Sequence, residues 1–308
     1  MEHLALIGYG EVGRILAEAL RAPGRVITAF DRKLAGDPAA AAMRAHAAEH
    51  GVVLAASHAA AVARAGIVFS AVTASQAVPV ARACAAALAP GAVFVDLNSA
   101  SPGAKVEAAG LVEQAGGRYL EAAVMTSVPP HRLAVPMLLG GRHAAALAPV
   151  LQALGFSGAR AGSATPGVVS ATKMCRSVVI KGLEAMLIES LSTARHHGVE
   201  DAVLASLAET FPGIDWERQA SYFFQRVIEH GARRAEEMLE AAQTVREAGL
   251  QPCSAAGTAD RQAAMAALAA AGVFGERGSP RFARSPDWRT EADRLLAGVK
   301  TTKEIPSP

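Results

Sequence analysis

Lys173, Ser177, Lys181 and Glu184 recur at i, i+4, i+8 and i+11 in a stretch that opens Gly167-Val168-Val169-Ser170-Ala171-Thr172-Lys173-Met174-Cys175-Arg176-Ser177. That spacing sets an amine, a hydroxyl, a second amine and a carboxylate along one helix face. A lysine sheltered from water gives up its proton more readily and can pass one to or from a neighbouring hydroxyl. Periodicity alone is met more plainly by a solvated lysine near the start of a helix. The other group with a chemical use is the glycine series at the N-terminus. Leu4-Ala5-Leu6-Ile7 is a buried-strand run that breaks at Gly8, continues Tyr9-Gly10-Glu11-Val12-Gly13, and opens the helical pattern Arg14–Leu20. In G-x-G-x-x-G spacing the first glycine makes a tight turn. The second lets backbone approach a pyrophosphate, and the third lets helix pack on strand. The helix start adds free N–H groups and a positive dipole end.

A dinucleotide is therefore the expected ligand of Gly8, Tyr9, Gly10, Glu11, Val12 and Gly13, against the plainer alternative of a strand-turn-helix with packing glycines. The next strand, Arg25–Phe30, ends in Asp31, where a ribose 2′-hydroxyl needs a carboxylate. Asp31 favours NAD over NADP, while Arg32 and Lys33 offer a phosphate partner if Asp31 turns aside. NAD is the expected cofactor, with NADP possible.

These residues need a scaffold, and the chain supplies one. Its first half alternates apolar runs with helical stretches: Val52–Ala55, Ile67–Val72, Ala92–Leu97, Arg118–Val124 and Ala134–Gly140 are the further strands. Strands separated by helices mean right-handed crossovers and a mostly parallel sheet. Near Gly162 the pattern changes to helices alone: Thr165–His197, Asp201–Glu209, Trp216–Leu239, Glu240–Ala248 and Ala255–Ala271. Ser157–Gly162 is the expected boundary between a dinucleotide-binding domain, 1–162, and a helical domain, 163–298, with a loose tail over 299–308. The fold class is α/β, a Rossmann-type sheet followed by an all-α domain.

The chain has 308 residues and a formal net charge of +2, too little field for nucleic acid or an anionic membrane. No apolar run reaches the roughly eighteen residues of a membrane span. Cys84, Cys175 and Cys253 lie far apart, as reduced thiols of a cytoplasmic protein would, and a strand begins too early for a signal peptide. No metal-ligand set is evident.

The glycine turn and the lysine helix together resemble the 6-phosphogluconate dehydrogenase and β-hydroxyacid dehydrogenase superfamily, in particular a subfamily with a distinct C-terminal helical domain. That resemblance implies an oxidoreductase acting on CH–OH groups and a homodimer formed through the helical domain. It also implies Lys173 as general acid and base, aligned on the pattern G-x-G-x-x-x-K-x-x-N/H-N. Val169 replaces the second glycine, and Arg176 and Ser177 replace residues that contact substrate. The family motif D-x-S-T-x-x-P resembles Asp96-Leu97-Asn98-Ser99-Ala100-Ser101-Pro102, which implies that Asn98 and Ser99, with Val72 and Thr73, border the nicotinamide. Asn98 and Ser99 also suit a helix N-cap before Pro102. The substrate loop D-x-P-V-S-G-G is matched by Glu121–Ser127, which keeps an acid and a valine and loses the proline, serine and glycines.

Met125, Thr126 and Ser127 therefore point to an acidic small molecule other than the usual hydroxy acids. Arg176, His230, Arg233 and Arg234 are candidates for its anionic group, and a solvated basic face is the alternative for Arg233 and Arg234. Trp216, Tyr222, Phe223 and Phe224 suit a core or dimer interface better than an aromatic pocket. His196 and His197 complement a helix C-terminus. Imine reduction, and dinucleotide binding without turnover, are the competing functions.

Overall fold

The computed structural model describes residues 2–279, 282–283 and 285–303, with side chains described up to 299. The chain divides into two compact units, Met1–Cys175 and Arg176–Pro308.

The first unit carries strands and helices in alternation: β1 (His3–Ile7), α1 (Glu11–Ala19), β2 (Val26–Phe30), α2 (Ala40–Glu49), β3 (Val53–Leu54), α3 (His58–Val62), β4 (Ile67–Ser70), α4 (Ala77–Ala85), β5 (Val93–Asp96), α5 (Pro102–Gln114), β6 (Arg118–Val124), β7 (Met137–Gly140), α6 (Ala144–Ala153) and β8 (Ala159–Ser163). They make one sheet in the order β3-β2-β1-β4-β5-β6-β7-β8. All pairs are parallel except β6 with β7. Successive side chains point to opposite faces, so both faces bury apolar residues under helices. Leu4 and Leu6 enter one core with Leu16, Ile27 and Phe69, while Ala5 and Ile7 enter the other with Val68, Phe94 and Tyr119. The strand order reverses between β1 and β4, which is where such sheets bind ligands, at the carboxyl ends of the strands.

Two features differ from expectation. Ala159–Ser163, which overlaps the expected boundary Ser157–Gly162, is the edge strand β8. It is small and largely exposed, and it owes its conformation to pairing with β7 rather than to its own apolar pattern. The division between units also falls beyond Gly162, inside the long helix α7 (Val168–His197). Glu121, fully buried in β6, explains this. Its carboxylate accepts the Gly167 N–H at 2.7 Å and the Ser170 N–H at 2.8 Å, fastening the helix start to the sheet. Two orphan donors of a helix N-terminus are satisfied by one acid.

The second unit is helical: the rest of α7, then α8 (Glu200–Thr210), α9 (Trp216–Glu247), α10 (Cys253–Ala270) and α11 (Trp288–Lys303). Its core joins Ile188, Leu191, Phe224, Ile228, Met265 and Trp288. The two helices expected over 216–248 are one, because Met238, Ala241 and Ala242 continue the buried stripe through the charged segment. The expected tail is helical to Lys303, and 304–308 lie outside the described residues. No helix among the described residues is long and apolar enough to cross a membrane.

Candidate functional site

The turn after β1 has the geometry its glycines suggest. Gly8 adopts φ +92°, and a Cβ there would lie 2.3 Å from the Ala71 carbonyl oxygen, so only glycine fits. A Cβ at Gly13 would lie 2.1 Å from the Gly8 carbonyl oxygen, which makes helix α1 pack on the turn without a side chain between them. At Gly10 nothing stands within 4 Å of the same position. Gly10 is also the N-cap of α1 and makes no side-chain cap, leaving the first N–H groups of the helix without that partner. An open approach beside an uncapped helix start fits a dinucleotide pyrophosphate. Glu11 and Val12 lie in that first turn. Tyr9 has its ring buried, and burial pushes its hydroxyl up to about 12.

Asp31, directly after β2, accepts the Tyr9 N–H at 2.8 Å through one oxygen and the Lys33 N–H at 2.9 Å through the other. It caps a short 3₁₀ turn, Arg32–Ala35. Arg32 and Lys33 are both exposed in that turn.

From Gly8 a continuous series of contacts leads to Lys173. The Gly8 turn abuts Ala71 and Val72, just beyond β4. The Val72 N–H donates to Asn98 Oδ1 at 2.7 Å, and Asn98 Nδ2 donates to Ser70 Oγ at 3.0 Å. The next residue, Ser99, accepts from Lys173 Nζ at 2.6 Å. Thr73 follows Val72 and is exposed. Neither Asn98 nor Ser99 caps helix α5; Ser101 does, accepting the Ala104 N–H at 3.4 Å. Beneath Asn98, the Asp96 carboxylate takes the Asn98 N–H at 2.9 Å, the Tyr119 hydroxyl at 2.8 Å and the Lys105 ammonium at 2.8 Å. Burial first, and Asp96 second, push the Tyr119 hydroxyl well above its usual value. Val169, where the resembled pattern has glycine, is buried against Gly140.

The candidate substrate residues fare unevenly. Met125 is half-buried and Thr126 and Ser127 are exposed in the loop after β6. In the second unit Arg176 is exposed, whereas Ser177 is buried and accepts from Lys181 at 3.5 Å. Lys181 pairs with Glu237 at 2.7 Å, and burial lowers its affinity for a proton below the ordinary lysine value. Arg233 is exposed and pairs with the same Glu237. Arg234 is buried against Glu184, so its charge is already matched. Phe223 and Phe224 are core residues and Tyr222 is half-exposed.

Residues 3–162 match the family model of the NAD binding domain of 6-phosphogluconate dehydrogenase. The chain belongs to this family. Residues 194–265 match a domain of unknown function (DUF1932). Among solved structures, a conserved hypothetical protein from Sinorhizobium meliloti is 38% identical, with 97% of each chain covered and a TM-score of 0.74. A conserved protein of unknown function, described as structurally similar to 3-hydroxyacid dehydrogenases, is 28% identical over 87% of this chain and 99% of its own, at a TM-score of 0.65. The 3-hydroxyisobutyrate dehydrogenase of Mycobacterium tuberculosis shares the fold at 21% identity, covering 96% and 99% at a TM-score of 0.68. No curated protein matches the chain.

In this member of the NAD-binding family, three residues with structural work at the site escaped the sequence reading. Glu121, the acid that begins the stretch matched to the substrate loop, anchors α7. Lys105 and Tyr119 support Asp96 from α5 and β6, and only folding brings them there. One cluster has metal-ligand chemistry that the sequence reading did not point to. Glu18, His46 and His50 bring one ligand atom each to within 4.8 Å of one another. The two histidines stand four residues apart, a spacing visible in the sequence, but the acid comes from another helix.

Proposed function

We propose that the chain is an NAD(P)-dependent oxidoreductase that moves a hydride between nicotinamide and a hydroxyl-bearing carbon of a small acidic molecule, of the β-hydroxy acid or sugar acid type. The contact series from Gly8 through Val72, Asn98 and Ser99 to Lys173 carries this reading, because it ties a proton-transfer group to the dinucleotide turn within one unit. The bound dinucleotide supplies the hydride acceptor or donor. Gly8, Tyr9, Gly10, Glu11, Val12 and Gly13 hold its pyrophosphate. Asp31 and Arg32 meet its ribose, and Val72, Thr73, Asn98 and Ser99 border the nicotinamide. Lys173 takes the hydroxyl proton in oxidation and returns it in reduction. With one N–H committed to Ser99, a neutral amine keeps a lone pair for that proton. Met125, Thr126 and Ser127 in the first unit, and Arg176, Ser177 and Arg233 in the second, are the substrate candidates. Ser177 and Arg233 must first release the partners they now hold.

Lys173→Met is expected to lower turnover by about 10²–10⁴-fold while leaving NADH binding intact. Unchanged turnover on a verified substrate removes Lys173 from this role. The substrate panel pairs hydroxy acids and sugar acids with cyclic imines. Turnover of imines alone makes the chain an imine reductase, and binding without turnover makes it a dinucleotide sensor. Fluorescence titration is expected to show tighter NADH than NADPH; the reverse order overturns the assignment of Asp31.

We also assign the chain to a homodimer through the helical unit. Val179, Ile180, Leu183 and Met186 leave an exposed apolar strip on α7, which supports this. A monomeric mass by light scattering would contradict it. Free Cys84, Cys175 and Cys253 suit a reducing cytoplasm.

A further inference from the structure

His46 lies in the last turn of α2 and His50 is its C-cap, four residues further and on the same face. Their rings stand 4.3 Å apart. From α1, Glu18 brings Oε1 to 3.1 Å from His46 Nε2. The surroundings hold this trio in place. Arg132 donates to the other Glu18 oxygen at 2.6 Å, leaving Oε1 on the histidine side. Arg132 itself adopts φ +49°, in the left-handed region that non-glycine residues rarely enter. On the far side of His46, the Tyr9 hydroxyl lies 2.9 Å from Nδ1.

We propose that Glu18, His46 and His50 form a three-ligand site for a zinc-type divalent transition ion, with water completing its coordination. Two imidazoles and one carboxylate suit zinc, cobalt or nickel, whereas calcium and magnesium take oxygen sets. A histidine ligand needs its second ring nitrogen held. Tyr9 Oη does this by accepting the Nδ1–H of His46, which turns the Nε2 lone pair toward Glu18. Ligand bonds of about 2.0–2.2 Å in a tetrahedral site set ligand atoms about 3.3–3.6 Å apart. Closing the present spread of up to 4.8 Å to that value requires side-chain rotations of Glu18 and His50, both of which are partly exposed. The competitor for the site is Arg21, an exposed guanidinium that donates to His50 Nδ1 at 3.5 Å and can swing into solvent. The ion would join α1 to α2 one hydroxyl away from the dinucleotide turn, through Tyr9.

The test uses full-length chain without a histidine tag, stripped by chelator and titrated with cobalt chloride. The expected result is one cobalt per chain with the visible bands of a four-coordinate site, displaced by zinc chloride. His50→Ala leaves the Tyr9–His46 bond in place and should abolish those bands. Tyr9→Phe should weaken binding by about ten- to a hundredfold, as loss of an outer-shell partner does. Arg21→Ala should tighten it, a gain that weak surface binding would not give. Absence of a spectral change in excess cobalt, or a site that survives His50→Ala, overturns the proposal.

Discussion

Each unit buries a lysine against a carboxylate, and the two pairs are built differently. Lys105 and Asp96 are both fully buried, and Asp96 also accepts the Tyr119 hydroxyl and the Asn98 N–H. Removing the lysine leaves a buried charge with only neutral donors. Lys181 is slightly exposed, and its partner Glu237 is shared with the solvent-facing Arg233. Here a second cation remains when the lysine is lost. The first pair underpins the loop of Asn98 and Ser99. The second lies among helices of the other unit and leaves its carboxylate a way to water. Burial of a charge thus says little about its worth until the alternative partners of its counter-charge are counted.

The contrast can be broken by substitution. Lys105→Met should destabilise the protein by about 3–5 kcal/mol in urea unfolding, the loss typical of one member of a buried pair, and should abolish NADH binding. A loss under about 1 kcal/mol would remove the distinction. Gly8→Ala must hold φ +92° and displace the Ala71 carbonyl, at a cost of about 1–3 kcal/mol, and dinucleotide binding should go with it. Lys181→Met should change stability by only about 1 kcal/mol, because it also removes an ammonium that burial disfavours.

That ammonium gives a pH signature. The folded value of Lys181 lies below the unfolded one, so the unfolded chain binds more protons between them, and wild-type stability rises with pH in that window. The wild-type Tm should therefore gain on that of Lys181→Met as pH climbs toward about 10.4. A constant difference in Tm would mean that the lysine is not held by burial. Gly10→Ala is the mildest change: stability within about 0.5 kcal/mol, with weaker NADH binding as its only clear effect.

Legibility in the sequence follows the same divide between local and distant causes. The glycine turn could be read because its three glycines stand at a fixed short spacing between a strand and a helix, although the carbonyl that Gly8 must avoid belongs to the distant Ala71. The sheet of the first unit could be read because its strands are apolar on both faces. Strand β8 could not, since Arg160 and Ala161 are exposed and only β7 makes them a strand. Helix α11 carried a signal that was passed over: Trp288, Ala292 and Leu295, at i, i+4 and i+7, are its buried face. Lys173 stands out in the sequence through its place in a motif, but its bond to Ser99 joins residues far apart in sequence. The pairing of Arg234 with Glu184, and of Lys105 with Asp96, likewise depends on which helix packs where.

The carboxylate of Asp31 has a consequence for anyone wishing to change the cofactor. Its two oxygens hold the amides of Tyr9 and Lys33, so the group we propose to meet the ribose is also a rivet of the glycine turn. Exchanging it for a neutral residue to admit a 2′-phosphate would loosen the turn that we propose carries the pyrophosphate, and selectivity would shift at the expense of affinity for both forms. Arg32 and Lys33 make no such contribution through their side chains to the turn, and redesign has more room there.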